Sequence, residues 1–363
     1  MHLFKRLWIH RLRRIRDEYE SVQDDISRNR KILGAVIFSV CIYLCAALSF
    51  GIYWSFSPAM LAVKPAIQNV LREQNLSYSS TMPAGVATTA SLIAVSETLW
   101  KKPGGYLTND RLPPGLWLDD MPHWELGVIL QVRDMTSMLR ASFSQTSANA
   151  IGDEDLQKAE ARFNFDNNSW VFPATESQYA SGARHLKKYL LRLAQPDNRD
   201  TYFYADAQHL NDYLAGIEQR LKNLSQRLNA SVGPEINTDN AALLVTQTNS
   251  NGLYTKTPWL QLDDIFFEAR GSSWAMLALL NGLEIDFAGV LKAKNAQPGF
   301  EQIIRELEAT QKPIYSPVIL NGNGFGFVVN HSLLMASYLA RAQTAAADCR
   351  RLLLTPSVSS TAY

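Results

Sequence analysis

Cysteine is nearly missing from this chain of 363 residues: there are three. Cys41 and Cys45 lie inside an apolar stretch and Cys349 stands alone near the C-terminus, so the polar part of the chain has no pair to cross-link and must fold on a packed core. The paired-cysteine spacings of structural zinc sites are absent. So is any basic excess. The formal net charge is +1, but residues 1–33 hold nine of the 35 Lys/Arg and five of the 34 Asp/Glu. The 26 basic and 29 acidic residues beyond them carry a net of −3. No basic stripe is present to neutralise phosphates, which argues against nucleic acid as a partner. No HExxH, GxSxG, SxxK or phosphate-binding GxxxxGK motif occurs either.

What the sequence does contain is one long run without charge, from Gly34 to Phe56. As a helix it would be about 35 Å long, enough for a hydrocarbon core of roughly 30 Å. A cleaved signal peptide has an apolar region of only about 7–15 residues after a short basic start, whereas the whole of 1–33 comes first here. A lipoprotein needs a small residue before its cysteine, and Val40 and Leu44 occupy those places. The run predicts a single transmembrane helix over 34–56. Five Lys/Arg fall in the stretch 14–33 just before it and two, Lys64 and Arg72, in the equally long stretch 57–76 after it. That asymmetry keeps the N-terminus in the cytoplasm and places residues 57–363 outside, in the periplasm of a double-membrane bacterium.

Ahead of the span, 1–33 forms a cytoplasmic basic segment. Phe4, Trp8, Leu12 and Ile15 recur at helical spacing among Lys5, Arg6, Arg11, Arg13, Arg14 and Arg16. Such a helix can lie in the headgroup layer, with Trp8 as an anchor and the arginines on anionic lipid; the competing reading is that the charges only set topology.

Beyond the span the pattern is mainly helical, a multi-helix bundle with two short β-hairpins. A membrane-proximal section (57–118) carries helices near Lys64–Gln74 and Pro83–Lys101, stopped by Lys102-Pro103-Gly104-Gly105. A first helical subdomain (119–231) has helices near Met121–Phe143, Asp153–Arg162, Glu176–Leu193 and Ala205–Leu228. Within it, FNFDNNSWVFP at 163–173 reads as a hairpin. A polar linker spans 232–258. The second subdomain (259–354) has helices near Ile265–Ala293, Gly299–Ala309 and His331–Leu354, with a hairpin at Ser316–Val329 around Asn321-Gly322, and 355–363 is a disordered tail.

The two subdomains share an order: Trp-Leu, paired aspartates, long helix, short acidic helix, hairpin, helix. An internal duplication would produce this, and so would a coincidental succession of helices and hairpins; the helix at 205–228 has no evident second copy.

The sharpest candidates for chemistry are acidic. Asp119 and Asp120 with His123 and Glu125, and Asp263 and Asp264 with Glu268, could ligate a hard cation or zinc. Both pairs also precede helices, where carboxylates cap N–H groups and oppose the positive dipole end, and capping is the expected role. Asn321–Gly326 has glycines but no Lys-Ser/Thr, and reads as a tight turn. Ser332 follows His331 directly, a spacing better suited to a helix start than to a base–nucleophile pair. Cys349, beside Arg350 and Arg351, would be reactive if its pKa were lowered, or simply a small hydrophobe. No complete catalytic constellation assembles and no cofactor is implied.

Several strings resemble a bacterial family of unknown function found in inner-membrane proteins of gammaproteobacteria. They are PGGYLTNDRLPPG (103–115), LDDMPHWELGVILQVRD (118–134), FNFDNNSWVFP (163–173), SQRLNASVG (225–233), TPWLQLDDIFFEARG (257–271) and the passage 303–339. The resemblance covers most of the chain after the span. It implies an inner-membrane address and carries no activity, cofactor or catalytic residue.

Taken together the sequence predicts a single-pass inner-membrane protein that contacts the bilayer and an envelope protein partner, as a scaffold, adaptor or accessory subunit. The alternatives are a periplasmic binding or sensing domain for a lipid, peptide or glycan, and a cell-wall hydrolase or metal-dependent enzyme. Changing Arg11, Arg13, Arg14 and Arg16 to Gln in a peptide of residues 1–33 should weaken binding to anionic vesicles by tenfold or more, at about 1 kcal/mol per charge. Unchanged affinity in a vesicle sedimentation assay would leave the charges with topology alone.

Overall fold

The structure is a computed structural model that describes residues 16, 30–77, 82–144, 152–195, 201–232, 257–314, 316, 319–322 and 329–355. Trp8, Arg11, Arg13 and Arg14, the body of the linker and the residues after Thr355 fall outside them; Arg16 is described and exposed. The chain divides into two compact units, 1–53 and 54–363.

In the first unit α1 (Arg30–Trp54, its final residue counted with the second unit) is the one helix among the described residues long and apolar enough to cross a membrane. Its apolar side chains, Phe38 and Ile52 among them, are exposed along most of its length.

The second unit is helical, with no strand among the described residues. Its helices are α2 (Val63–Glu73), α3 (Val86–Lys101), α4 (Asp120–Met138), α5 (Glu154–Phe163), α6 (Thr175–Leu193), α7 (Ala207–Asn229), α8 (Leu262–Asp286), α9 (Ala288–Ala293), α10 (Gln297–Thr310) and α11 (His331–Leu354). The helix of α4 continues as a π turn over Leu139–Phe143. Side chains fix several starts: Asp153, Asp206 and Asn330 accept from the free N–H groups of α5, α7 and α11. Asp286, at the end of α8, accepts from Thr88 N (2.7 Å) and Thr88 Oγ1 (2.6 Å) and so ties the start of α3 to α8.

The centre of this unit is the pair α4 and α8, which run side by side in the same direction. Their N-terminal ends meet at His123 and Asp264, 3.1 Å apart. Their C-terminal ends meet at Phe143 and Phe287, with ring centroids 5.6 Å apart. In between, the helices touch backbone to backbone at two glycines. A Cβ on Gly127 would collide with the carbonyl of Glu268 and the amide of Ser272, and one on Gly271 with the carbonyl of Trp124. Ser272 Oγ then donates to the Gly127 carbonyl at 3.2 Å. Only residues without a Cβ permit so close an approach.

These contacts are reciprocal. Leu118-Asp119-Asp120 and Gly127 recur 144 positions later as Leu262-Asp263-Asp264 and Gly271, and Trp124 and Glu268 are likewise 144 apart. The 3₁₀ turns Gly115–Trp117 and Trp259–Gln261 share that offset, as do Phe143 and Phe287. The central pair therefore has an approximate two-fold axis between its helices. α4 is followed by a short helix and then a longer one, α5 and α6, and α8, after the six residues of α9, is followed by α10 and α11 in the same short-then-longer order. In each half an arginine of the long helix donates to the last carbonyls of the short one. Arg133 reaches Phe163 O (2.8 Å) and Phe165 O (2.9 Å), and Arg270 reaches Thr310 O, Gln311 O and Lys312 O, each at 3.1 Å. The succession of 3₁₀ turn, paired aspartates and long helix thus occurs twice. The helix at 205–228 shares part of the packing of α3: α7 lies on α11 and α8 as α3 lies on α6 and α4, but α3 packs most extensively on α8 and α7 has no comparably extensive contact with α4.

The first hairpin is a correction. FNFDNNSWVFP forms no strand: α5 runs to Phe163, and polar side chains then take the backbone groups a ladder would use. Asp166 Oδ1 accepts from Asn168 N (3.1 Å), while Thr175 Oγ1 donates to Asp166 O (2.9 Å) and accepts from Ser169 N (3.1 Å). Pro173 has no N–H to give. Of the second hairpin, 317–318 and 323–328 lie outside the described residues. The remainder meets in one antiparallel bridge between Asn321 and Asn330.

Gly271→Val should cost on the order of 2–3 kcal/mol in urea unfolding of the detergent-solubilised chain, because the methyls meet backbone that cannot yield. Gly216→Ala on α7, where an added Cβ meets nothing within 4 Å, should instead stabilise by about 0.5–1 kcal/mol. Equal effects would contradict the close packing.

Candidate functional site

Parallel packing brings the starts of α4 and α8 to one place, and with them both pairs of aspartates. Asp119, His123 and Asp264 offer ligand atoms that lie within 4.8 Å of one another. His123 Nε2 is 3.1 Å from Asp264 Oδ1 and 4.0 Å from Asp119 Oδ1. Partial burial pushes the Asp120 carboxyl up to about 6, helped by the nearby charges of Asp263, Asp119 and Asp264 and opposed by His123. Burial likewise raises Asp264; His123 works against it, and Asp119 and Asp263 add to it. Two clusters far apart in the sequence form one anionic site.

The expected capping is not what holds these carboxylates. Asp119 stands at the N-cap of α4 and makes no side-chain cap bond; at α8 the N-cap is Gln261, and the aspartates fall in the first turn. Asp264 N–H donates to Asp263 Oδ1 at 3.2 Å. Their favourable interaction is with the positive ends of two helix dipoles, a contribution of about 0.3–1 kcal/mol each, set against mutual repulsion.

The remaining candidates belong elsewhere. Glu125 is fully buried with Lys102, whose Nζ lies 2.6 Å away. It also accepts from Leu107 N (2.9 Å), Thr108 N (2.8 Å) and Thr108 Oγ1 (2.5 Å). Burial raises its pKa and Lys102 counters that. This group pins the non-repetitive crossing after α3 onto α4. Glu268 is bound by both ends of the Arg227 guanidinium at 2.6 Å and joins α7 to α8. Both are structural pairs. His331 Nδ1 accepts from Leu320 N at 3.1 Å, which fixes a neutral tautomer and removes it as a base for Ser332. Cys349 is buried, and burial pushes its thiol up to about 12, the reverse of activation.

Beside the anionic site lies a feature the sequence reading missed. The segment leading into α4 exposes Leu112, Leu116 and Trp117, and the loop before α6 exposes Trp170, Val171 and Phe172, the last completely. The two loops are joined by hydrogen bonds. Asn109 Nδ2 donates to Ser169 O (2.8 Å) and to Glu176 Oε2 (2.9 Å), and Tyr106 Oη donates to Asn167 O (2.9 Å). Arg111 donates to the Asn168 side chain at 3.1 Å. Trp259, before α8, is three-quarters exposed. The available signal was aromatics set among prolines and turn residues, where no helical face can bury them.

The arrangement supports two kinds of chemistry. Two carboxylates and an imidazole can bind a divalent cation, and among the described residues they are the one such group. Apolar side chains beside carboxylates can bind a protein surface. Two cavities lie apart from this site. One of about 560 Å³ between α4 and α7 is lined by Asp134, Tyr213, Gly216 and Arg220, and one of about 380 Å³ by Phe266, Arg270, Ile314, Met335 and Tyr338.

The fold and this site define a two-fold helical bundle with an anionic, aromatic-rimmed end. The family model described as an uncharacterised protein conserved in bacteria, DUF2333, matches residues 27–355, and the chain belongs to that family. No curated protein and no solved structure matches.

Asp120 gives the site a testable pH signature. Its pKa is higher in the folded chain (about 6) than in the unfolded one (about 3.9), so the folded state binds the extra proton and stability rises as pH falls through 6 toward 4. Asp120→Asn should therefore raise the melting temperature at pH 7.5 and flatten its dependence between pH 5 and 7; a lower midpoint would contradict the crowding of charge. Lys102→Met should cost about 3–5 kcal/mol by leaving Glu125 buried and unpaired, and adding Glu125→Gln should restore part of it.

Proposed function

We propose that this protein is a single-span inner-membrane protein whose helical domain stands in the periplasm and works through protein contacts, as a scaffold, adaptor or accessory subunit of an envelope complex. The observation that carries the reading is the exposed apolar rim. Single apolar residues on a surface are ordinary, but six large ones on two loops stapled together mark an interaction surface. The address is supported by the length and exposure of α1 and by the five basic residues before it against two after. The 144-residue offset shared by the two 3₁₀ turns, the paired aspartates and the glycines of the central helices supports an origin by internal duplication.

The cavity bordered by Phe266, Arg270 and Tyr338 favours a second reading, a pocket for an apolar ligand with an anionic end. Arg270 weakens it, because its guanidinium donates to three carbonyls at the end of α10 rather than into the cavity.

Phe172→Cys tests the address. In intact cells a maleimide that cannot cross the inner membrane should label this fully exposed position; labelling only after the inner membrane is opened would reverse the topology. Purification in mild detergent should give a complex with a stoichiometric partner. Repeated recovery of the chain alone would sink the scaffold reading.

A further inference from the structure

We infer that the apolar rim and the anionic site beside it form one docking surface, and that its occupant is a protein segment whose apolar side chains are flanked by Lys or Arg. This rests on the scaffold reading above and specifies where and what the domain binds.

The rim and the charge are continuous along the chain. Trp117 is two residues from Asp119, and Asp166 opens the loop that ends in Trp170, Val171 and Phe172. Asp110 lies where a Cβ on Gly115 would stand, and burial together with Glu176 raises its pKa against the pull of Lys102. Asp110 and Asp119 thus flank the first apolar loop and Asp166 begins the second, and Asp119 belongs to the anionic group with Asp120, Asp263 and Asp264. The basic groups nearby are already engaged: Arg111 with Asn168, His123 with Asp264, Lys102 with the buried Glu125, and Arg133 with the carbonyls of Phe163 and Phe165.

Size and charge select the occupant. An aromatic side chain brings about 150–250 Å² to an interface. Trp117 and Trp170, each about half exposed, and the fully exposed Phe172 therefore supply part of the roughly 800 Å² that one partner contributes to a specific complex, with Leu112, Leu116 and Val171 adding to it. A lipid surface would accept the aromatics, but it would desolvate the adjoining carboxylates, and anionic headgroups would repel them. A partner with cations around an apolar centre relieves that repulsion and covers the rim in the same step.

The test uses the full chain in cells, with a photo-crosslinking amino acid at Trp117, at Phe172, and at Lys222 on the exposed side of α7 as control. The expected result is a protein adduct from Trp117 and Phe172 and none from Lys222. The adduct should fall at least fivefold when Asp119, Asp263 and Asp264 are changed to Asn, and its cross-linked peptide should carry Lys or Arg beside apolar residues. Adducts with lipid only, an equal adduct from Lys222, or a yield unmoved by the Asn changes would overturn it. Leu112→Ser, Trp117→Ser and Phe172→Ser together separate this from the parent reading. These side chains are exposed, so the melting temperature should hold while the co-purifying partner is lost. A partner retained by that variant refutes the surface and leaves the scaffold; no partner with the unaltered chain refutes both.

Discussion

The close approach of α4 and α8 governs the rest of this molecule. Two helices seldom pack backbone to backbone, because a Cβ on either side holds them apart; here Gly127 and Gly271 remove it at matching places. Once the helices run together in the same direction, their starts and ends must each coincide. The dipoles then add at one end, where carboxylates are welcome, and aromatic rings close the other, with Phe143 against Phe203 and Phe287. Trp124 and Trp274 fill the space beside the glycines, with ring centroids 5.2 Å apart. The anionic site is thus a consequence of the packing and not a separate device.

Buried charge in this domain serves to fix irregular backbone. Glu125 with Lys102 holds the crossing that carries the rim, and Arg133 and Arg270 close the short helices. Such groups cost desolvation and return it only when every lone pair is met, so each specifies one arrangement of a loop that has no periodic pattern of its own. The crossing can then present Leu112, Leu116 and Trp117 outward without collapsing onto them.

Much of the helical plan was legible in the sequence. Periodic apolar spacing located α2 to α8 and α10 to α11, and the charge-free run located α1, because those signals are local. The hairpin at 163–173 failed because alternating aromatics and an Asn-Asn turn signal say nothing about competing side chains, and Thr175 and Asp166 take the backbone bonds. The two aspartate pairs were singled out, but their meeting could not be read: it depends on Gly127 and Gly271 facing each other from distant parts of the chain. Their spacing from the aspartates is identical, and that was the one sequence clue. Glu125 and Glu268 were placed with the acids by proximity in sequence, although helix geometry turns them toward Lys102 and Arg227.

The parallel alignment of α4 and α8 can be measured directly. With Cys41 and Cys45 replaced by Ser, spin labels attached through Asp119→Cys and Asp263→Cys should lie within about 20 Å of each other by pulsed dipolar spectroscopy, given an interaxial distance of about 8–10 Å and the length of the label arms. Antiparallel helices of this length would hold the two starts about 30–35 Å apart. A distance in that longer range would separate the aspartate pairs and leave no common anionic site.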